Sequence, residues 1–172
     1  MKDSQDSPKA YILVIDDDPL LRKTLKTVLE REGYFVDVAQ DGYEGILKAK
    51  SGFFHLVLCD IRMPGLDGLM TLHHIQKFQN RAGTGRSGFI VITAYDAPES
   101  RQTAFQLGVT DFVMKPFDLE RFLDSIHSQV DKAVKATPLA EVQNLNRRLE
   151  RLLAMDKQGP VAEEDDEPPP AA

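Results

Sequence analysis

With a single cysteine among 172 residues, the chain cannot be held together by an internal disulfide framework. No apolar run approaches the roughly 20 residues of a membrane-spanning helix. The opening Met-Lys-Asp-Ser-Gln-Asp-Ser-Pro lacks the apolar core of a secretory signal. Positive charge is also in short supply. The formal net charge is −6, and residues 157–172, with one lysine and five acids, carry −4 of it. The remaining body is nearly neutral and offers no basic footprint for nucleic acid. These absences lead to the expectation of a cytoplasmic protein with no membrane segment and no direct nucleic-acid binding. What is present is ordinary for a globular chain: 42% apolar and 28% charged residues, with length for one core plus an appendage.

The most informative stretch is residues 54–68, Phe-His-Leu-Val-Leu-Cys-Asp-Ile-Arg-Met-Pro-Gly-Leu-Asp-Gly. Its apolar run reads as a strand buried on both faces, with Cys59 as a small core residue. Asp60 ends the run, and Met63-Pro64-Gly65 turns the chain, because Pro64 has no N–H for a sheet ladder. A carboxylate at the carboxyl end of a buried strand stands where α/β folds keep their sites.

Around it the pattern alternates. Strands are predicted over 10–15, 34–39, 54–59, 89–93 and 111–114. The intervening helices run over 19 to about 32, 41–50, about 66–78 and 98–107, and a last one from the Asp118 cap to about 134. In the second helix Ile46, Leu47 and Ala49 are expected to face inward. The alternation implies a parallel sheet covered on both sides, and right-handed crossovers leave few topologies for it. Among these the expected one is an α/β, doubly wound (flavodoxin-like) five-stranded sheet of order 2-1-3-4-5 with five flanking helices and a C-terminal helical extension. The chain divides into an arm (1–8), a globular domain (9–135), an amphipathic extension (136–158) and an acidic, Pro-rich tail (159–172) expected to be disordered. In the extension Val142, Leu145, Leu149 and Leu152 follow a 3-4-3 spacing over about two heptads. That helix could continue the preceding one, pack on the domain, or pair in a dimer.

Strand one ends at Asp16 and Asp17, and strand three at Asp60. Neighbouring parallel strands would bring the three carboxylates together, where their repulsion calls for a cation. Hard oxygen ligands suit Mg²⁺, and the loop carbonyl of Arg62 is a further candidate ligand. Thr93 ends strand four and Lys115 strand five. Acids, metal, hydroxyl and ammonium at one edge form a site for a phosphoryl group carried by a carboxylate, and Asp60 is the expected nucleophile.

The motifs Ile-Asp-Asp-Asp-Pro at 15–19, Asp-Ile-Arg-Met-Pro-Gly-Leu-Asp-Gly at 60–68, Ile-Thr-Ala at 92–94 and Lys-Pro-Phe at 115–117 resemble those of the receiver domain of bacterial two-component response regulators. The resemblance covers roughly residues 9–132. It implies that Asp60 accepts a phosphoryl group from the phosphohistidine of a histidine kinase or phosphotransfer protein. It implies Mg²⁺ held by Asp17 directly, by Asp16 through water, by Asp60, and by the Arg62 carbonyl. Thr93 and Lys115 would contact phosphoryl oxygens, Thr93 and Phe112 would act as the switch, and Arg62 and Tyr95 would tune hydrolysis. The output would be a downstream protein target. A homodimer through the fourth helix, fifth strand and fifth helix, or through the 139–156 helix, is a further expectation.

Two other functions compete. A DNA-binding transcriptional activator would need an output domain, for which the residues after the receiver leave no room, so that reading requires this chain to be an amino-terminal fragment. An aspartyl-phosphate phosphatase would prefer Thr or Val where Leu20 stands, and would carry a cap domain; no enzymatic turnover beyond the chain's own phosphotransfer and dephosphorylation is expected. Gly83-Thr84-Gly85-Arg86-Ser87-Gly88 matches a dinucleotide fingerprint but precedes a strand, and so reads as a loop. His73 and His74 are adjacent on a helix, point about 100° apart and make a poor metal pair.

Overall fold

The computed structural model describes residues 8–156. The expectations for the 1–8 arm, Pro8 aside, and for the 159–172 tail lie outside these residues. Five strands, β1 (Tyr11–Ile15), β2 (Phe35–Ala39), β3 (Leu56–Cys59), β4 (Gly88–Thr93) and β5 (Val109–Met114), form one parallel sheet in the order β2-β1-β3-β4-β5. Between them run α1 (Pro19–Arg31), α2 (Gly42–Ser51), α3 (Gly68–Ala82) and α4 (Pro98–Gln106), followed by α5 (Leu119–Ala136) and α6 (Leu139–Asp156).

Side chains alternate along each strand, so the sheet feeds two apolar layers. One face presents Ile12, Val14, Leu56, Leu58, Ile90 and Ile92 to Leu25 and Leu29 of α1 and Phe122 and Ile126 of α5. The other presents Leu13, Ile15, Val57, Cys59 and Val91 to Ala49 of α2, Leu72 and Ile75 of α3 and Ala104 of α4. All four residues of β3 are buried, which is why this strand reads as an unbroken apolar run.

Helix starts follow from local chemistry. The side chains of Asp18, Asp41, Asp67 and Asp118 accept from backbone N–H groups in the first turns of α1, α2, α3 and α5. Gly83 (φ 63°) closes α3 in the left-handed conformation, so α3 ends one turn later than the sequence predicts and takes up residues expected in a loop. One inward assignment is corrected: Leu47 is 64% exposed. Ala49 is buried and Ile46 half-buried, and Leu47 lies about 100° around the helix from Ile46, beyond the buried stripe of Gly42, Gly45 and Ala49.

Thr137 ends α5 in an extended conformation, and Pro138 follows, so α6 does not continue α5. It turns back onto the domain and buries Val142 completely. The side chain of Leu152, the last member of the expected heptad pattern, lies outside the described residues.

Candidate functional site

The register of the sheet creates the site. Ile15 pairs with Ala39 on one side and Cys59 on the other, so β1 and β3 end level. The next residues are Asp16 and Asp60, and the ladder carries on across them: the Asp60 N–H donates to the Ile15 carbonyl at 2.9 Å. Carboxylate oxygens of Asp16, Asp17 and Asp60 lie within 4.8 Å of one another. Asp16 and Asp60 are buried (2% and 7% exposed), whereas Asp17 faces solvent. Two buried hard-oxygen donors and one open to water form a donor set that fits Mg²⁺, a cation that keeps part of its water shell.

Lys115 closes the far side. Its backbone N–H donates to the Thr93 carbonyl at 2.9 Å, and the Lys115–Pro116 peptide bond is cis. Its Nζ donates to Asp16 Oδ2 and Asp60 Oδ2, both at 2.7 Å. Burial opposes the Lys115 charge, yet the two carboxylates outweigh it and hold the ammonium above its ordinary pKa. Burial pushes Asp16 up, against the pull of Lys115 and of the Asp18 N–H. Burial and the nearby acids also push the Cys59 thiol well up, so it is packing rather than a nucleophile.

The loops carry the remaining predicted residues. The Arg62 N–H donates to Asp60 Oδ1 at 3.2 Å. The Arg62 guanidinium stacks over the Tyr95 ring at 3.6 Å, joining the loops that follow β3 and β4. Thr93 is fully buried, and its Oγ1 accepts the Tyr95 N–H at 3.2 Å. Phe112 lies half-buried on β5, with the Arg101 guanidinium 4.3 Å above its ring. Asp16, Asp17, Asp60 and Lys115 thus form one cluster, Thr93 and the Arg62–Tyr95 pair border it, and Phe112 sits on the α4–β5 side. His73 and His74 are exposed on α3.

Two supports go unrecognised in the sequence. Arg22 Nη1 donates to the Asp16 carbonyl at 2.6 Å, from one turn inside α1. Gly68 lies beneath Asp60: a Cβ there would fall 1.8 Å from the Asp60 carbonyl oxygen. Gly68 closes the motif at 60–68, and a glycine opening a helix right after an Asp cap was the one available signal of such a close approach.

Comparison with known proteins agrees with this geometry. The model of the response regulator receiver domain matches residues 12–127. The transcriptional regulatory protein YkoG of Bacillus subtilis, itself uncharacterized, is 34% identical over 120 residues, covering 70% of this chain and 50% of that protein. The transcriptional activator protein PfeR of Pseudomonas aeruginosa is 31% identical over 150 residues, covering 87% of this chain and 46% of the relative. The chain thus spans about half the length of these curated relatives. Among solved structures, a CheY-like receiver domain from Methanospirillum hungatei superposes with a TM-score of 0.66 at 30% identity, over 73% of this chain and 97% of the other. The response regulator TrrA of Thermotoga maritima, in complex with Mg²⁺ and BeF, gives a TM-score of 0.59 at 31% identity, over 70% and 98%. By sequence match, fold and the position of its acidic cluster, the chain belongs to the response regulator receiver domain family.

Proposed function

We propose that the chain is a phospho-accepting signalling module in which Asp60 is the acceptor. The observation that carries this reading is the Lys115 ammonium at 2.7 Å from both Asp16 and Asp60, inside a cluster of three carboxylates. A carboxylate oxygen of Asp60 attacks the phosphorus of a phosphohistidine on a histidine kinase or phosphotransfer protein. An O–P bond forms, the P–N bond breaks, and the imidazole leaves. Lys115 stands where it can pair with an oxygen of the incoming group, and the buried Thr93 hydroxyl can be drawn from the Tyr95 N–H to do the same. Asp16, Asp17, Asp60 and the Arg62 carbonyl would hold Mg²⁺, which supplies neutralisation of the phosphoryl charge.

The acyl phosphate adds about −1.5 to −2 charges at this edge. Thr93 and Lys115 gain partners, and the half-buried Phe112 under Arg101 is the ring placed to respond. The face of α4, β5 and α5 is then the output surface for a downstream protein, and a homodimer through that face or through α6 belongs to the same reading. Arg62 and Tyr95, stacked across the two loops, would shield the acyl phosphate from water. Residues 9–135 form the receiver in this reading and 136–158 its appendage. Among the described residues no helix is long and apolar enough to cross a membrane. A cytoplasmic location and the lack of turnover on other substrates belong to the same proposal.

A second reading has a specific observation behind it. The relatives named above are transcriptional regulators, and this chain covers about half of their length. The receiver could then govern a DNA-binding partner domain in a longer protein, which the length of the gene would decide.

The direct test is labelling with a small acyl-phosphate donor and Mg²⁺. Wild type should gain one phosphoryl group by intact mass, and Asp60→Asn none. Equal labelling of the two would overturn the assignment of Asp60.

A further inference from the structure

The pole of the sheet opposite Asp60 carries a second polar arrangement, built around His55 at the entry to β3. His55 is fully buried. Its Nδ1 accepts the Tyr11 N–H at 3.0 Å, and its Nε2 lies 3.0 Å from the Thr137 carbonyl. A nitrogen that accepts a backbone N–H bears no proton, so the ring is neutral and its proton is on Nε2, donating to Thr137. The ring is stacked on Tyr11 and meets the edge of Phe53.

A second tie lies beside it. Asn146 of α6 accepts the Phe53 N–H at Oδ1 (2.6 Å) and donates from Nδ2 to the Phe53 carbonyl (3.4 Å). One side-chain amide thereby does for Phe53 what a neighbouring strand would do. The Glu141 and Val142 N–H groups both donate to the Pro138 carbonyl, making a firm start to α6. The apolar part of the docking is thin. Val142 is fully buried, Leu139, Leu145 and Leu149 are half-buried, and Arg147, Arg148 and Arg151 face solvent. The receiver beneath has two complete apolar layers of its own.

We propose that α6 is a detachable arm, held on the amino-terminal pole of the sheet by Asn146 and, at its root before Pro138, by neutral His55 through the Thr137 carbonyl. It leaves as a unit while the receiver stays folded. Docked, it keeps the Val142 face covered; released, it exposes that face together with Phe53. The arm's attachment does not depend on the assignment of Asp60, since His55 and Asn146 touch none of the acidic cluster.

Hydrogen exchange on the full chain at neutral pH tests this. In Asn146→Ala, amides of residues 142–151 should exchange about tenfold faster, since the Phe53 N–H loses its acceptor and the docking bond goes with it. The β1, β3 and β4 amides and phosphoryl labelling of Asp60 should be unchanged. His55→Ala should act in the same direction, and Asn146→Ala keeps the test decisive if His55→Ala fails to fold. Unchanged exchange of α6 in Asn146→Ala, or acceleration of α6 and the strands together, would overturn the proposal.

Discussion

At the scale of single residues, charge state governs what His55 and the acidic cluster can do. Burial outweighs the Thr137 carbonyl and holds His55 below its usual pKa of 6.5. The unfolded chain takes up this proton near pH 6.5, and the folded chain only at lower pH. Stability from this group is therefore complete above about pH 6.5 and falls as pH drops from there toward the folded-state pKa. Urea midpoints at pH 7.5 and 5.5 should differ more for wild type than for His55→Ala; an equal drop would remove His55 as the cause. The Arg62–Tyr95 stack is tested by lifetime. If it shields the acyl phosphate, Arg62→Ala and Tyr95→Ala each shorten its half-life several-fold, and unchanged half-lives in both would end that idea.

At the scale of elements, the close approach of α3 to the end of β3 constrains Asp60, the proposed acceptor. Gly68 donates its N–H to the Ile61 carbonyl at 2.8 Å and leaves no space for a Cβ over the Asp60 backbone. Gly68→Ala should destabilise the chain by about 1–3 kcal/mol in denaturant unfolding, with slower labelling of Asp60, because backbone must move to relieve the clash. Wild-type stability with wild-type labelling would show that the loop gives freely. The docking of α6 gives a contrasting case. Val142→Ala removes a fully buried side chain at one end of the molecule. It should cost about 1–2 kcal/mol, read chiefly in exchange of α6, and leave labelling intact. The helices were legible, and so were the caps at Asp18 and Asp118, because a cap acts within a single turn; Asp41 and Asp67, read as lying inside their helices, also prove to be caps. The inward face of α2 was misjudged at Leu47 because the periodic signal competes there with glycines that pack close, and hydrophobicity alone does not weigh close approach.

At the scale of the whole molecule, the proposed Mg²⁺ site would link cation binding to folding. Mg²⁺ at a hundred times its Kd should raise stability by about 2.7 kcal/mol, seen as a higher Tm. Asp17→Asn should weaken that rise while leaving the Mg²⁺-free Tm close to wild type, because Asp17 is exposed and its loss opens no cavity. An undiminished rise in that variant would take Asp17 out of the metal set. The sequence by itself determined the alternation of strands and helices and with it a parallel sheet, whose order was chosen from the few topologies left open and is the one observed. It also determined the gathering of Asp16, Asp17, Asp60, Thr93 and Lys115 at one edge. The reason is that a helical crossover after each strand sends every strand in the same direction, so the residue after each strand arrives at a common rim. Only the tertiary structure decided that Lys115 bridges Asp16 and Asp60, that Gly68 presses on Asp60, and that α6 is fastened by His55 and Asn146. Those contacts join residues 55 to 99 apart or turn on fractions of an ångström, except Gly68, which is near in sequence but constrained by a helix meeting a strand. No periodicity encodes such pairs, because their partners become neighbours only once the sheet has closed both layers of the core.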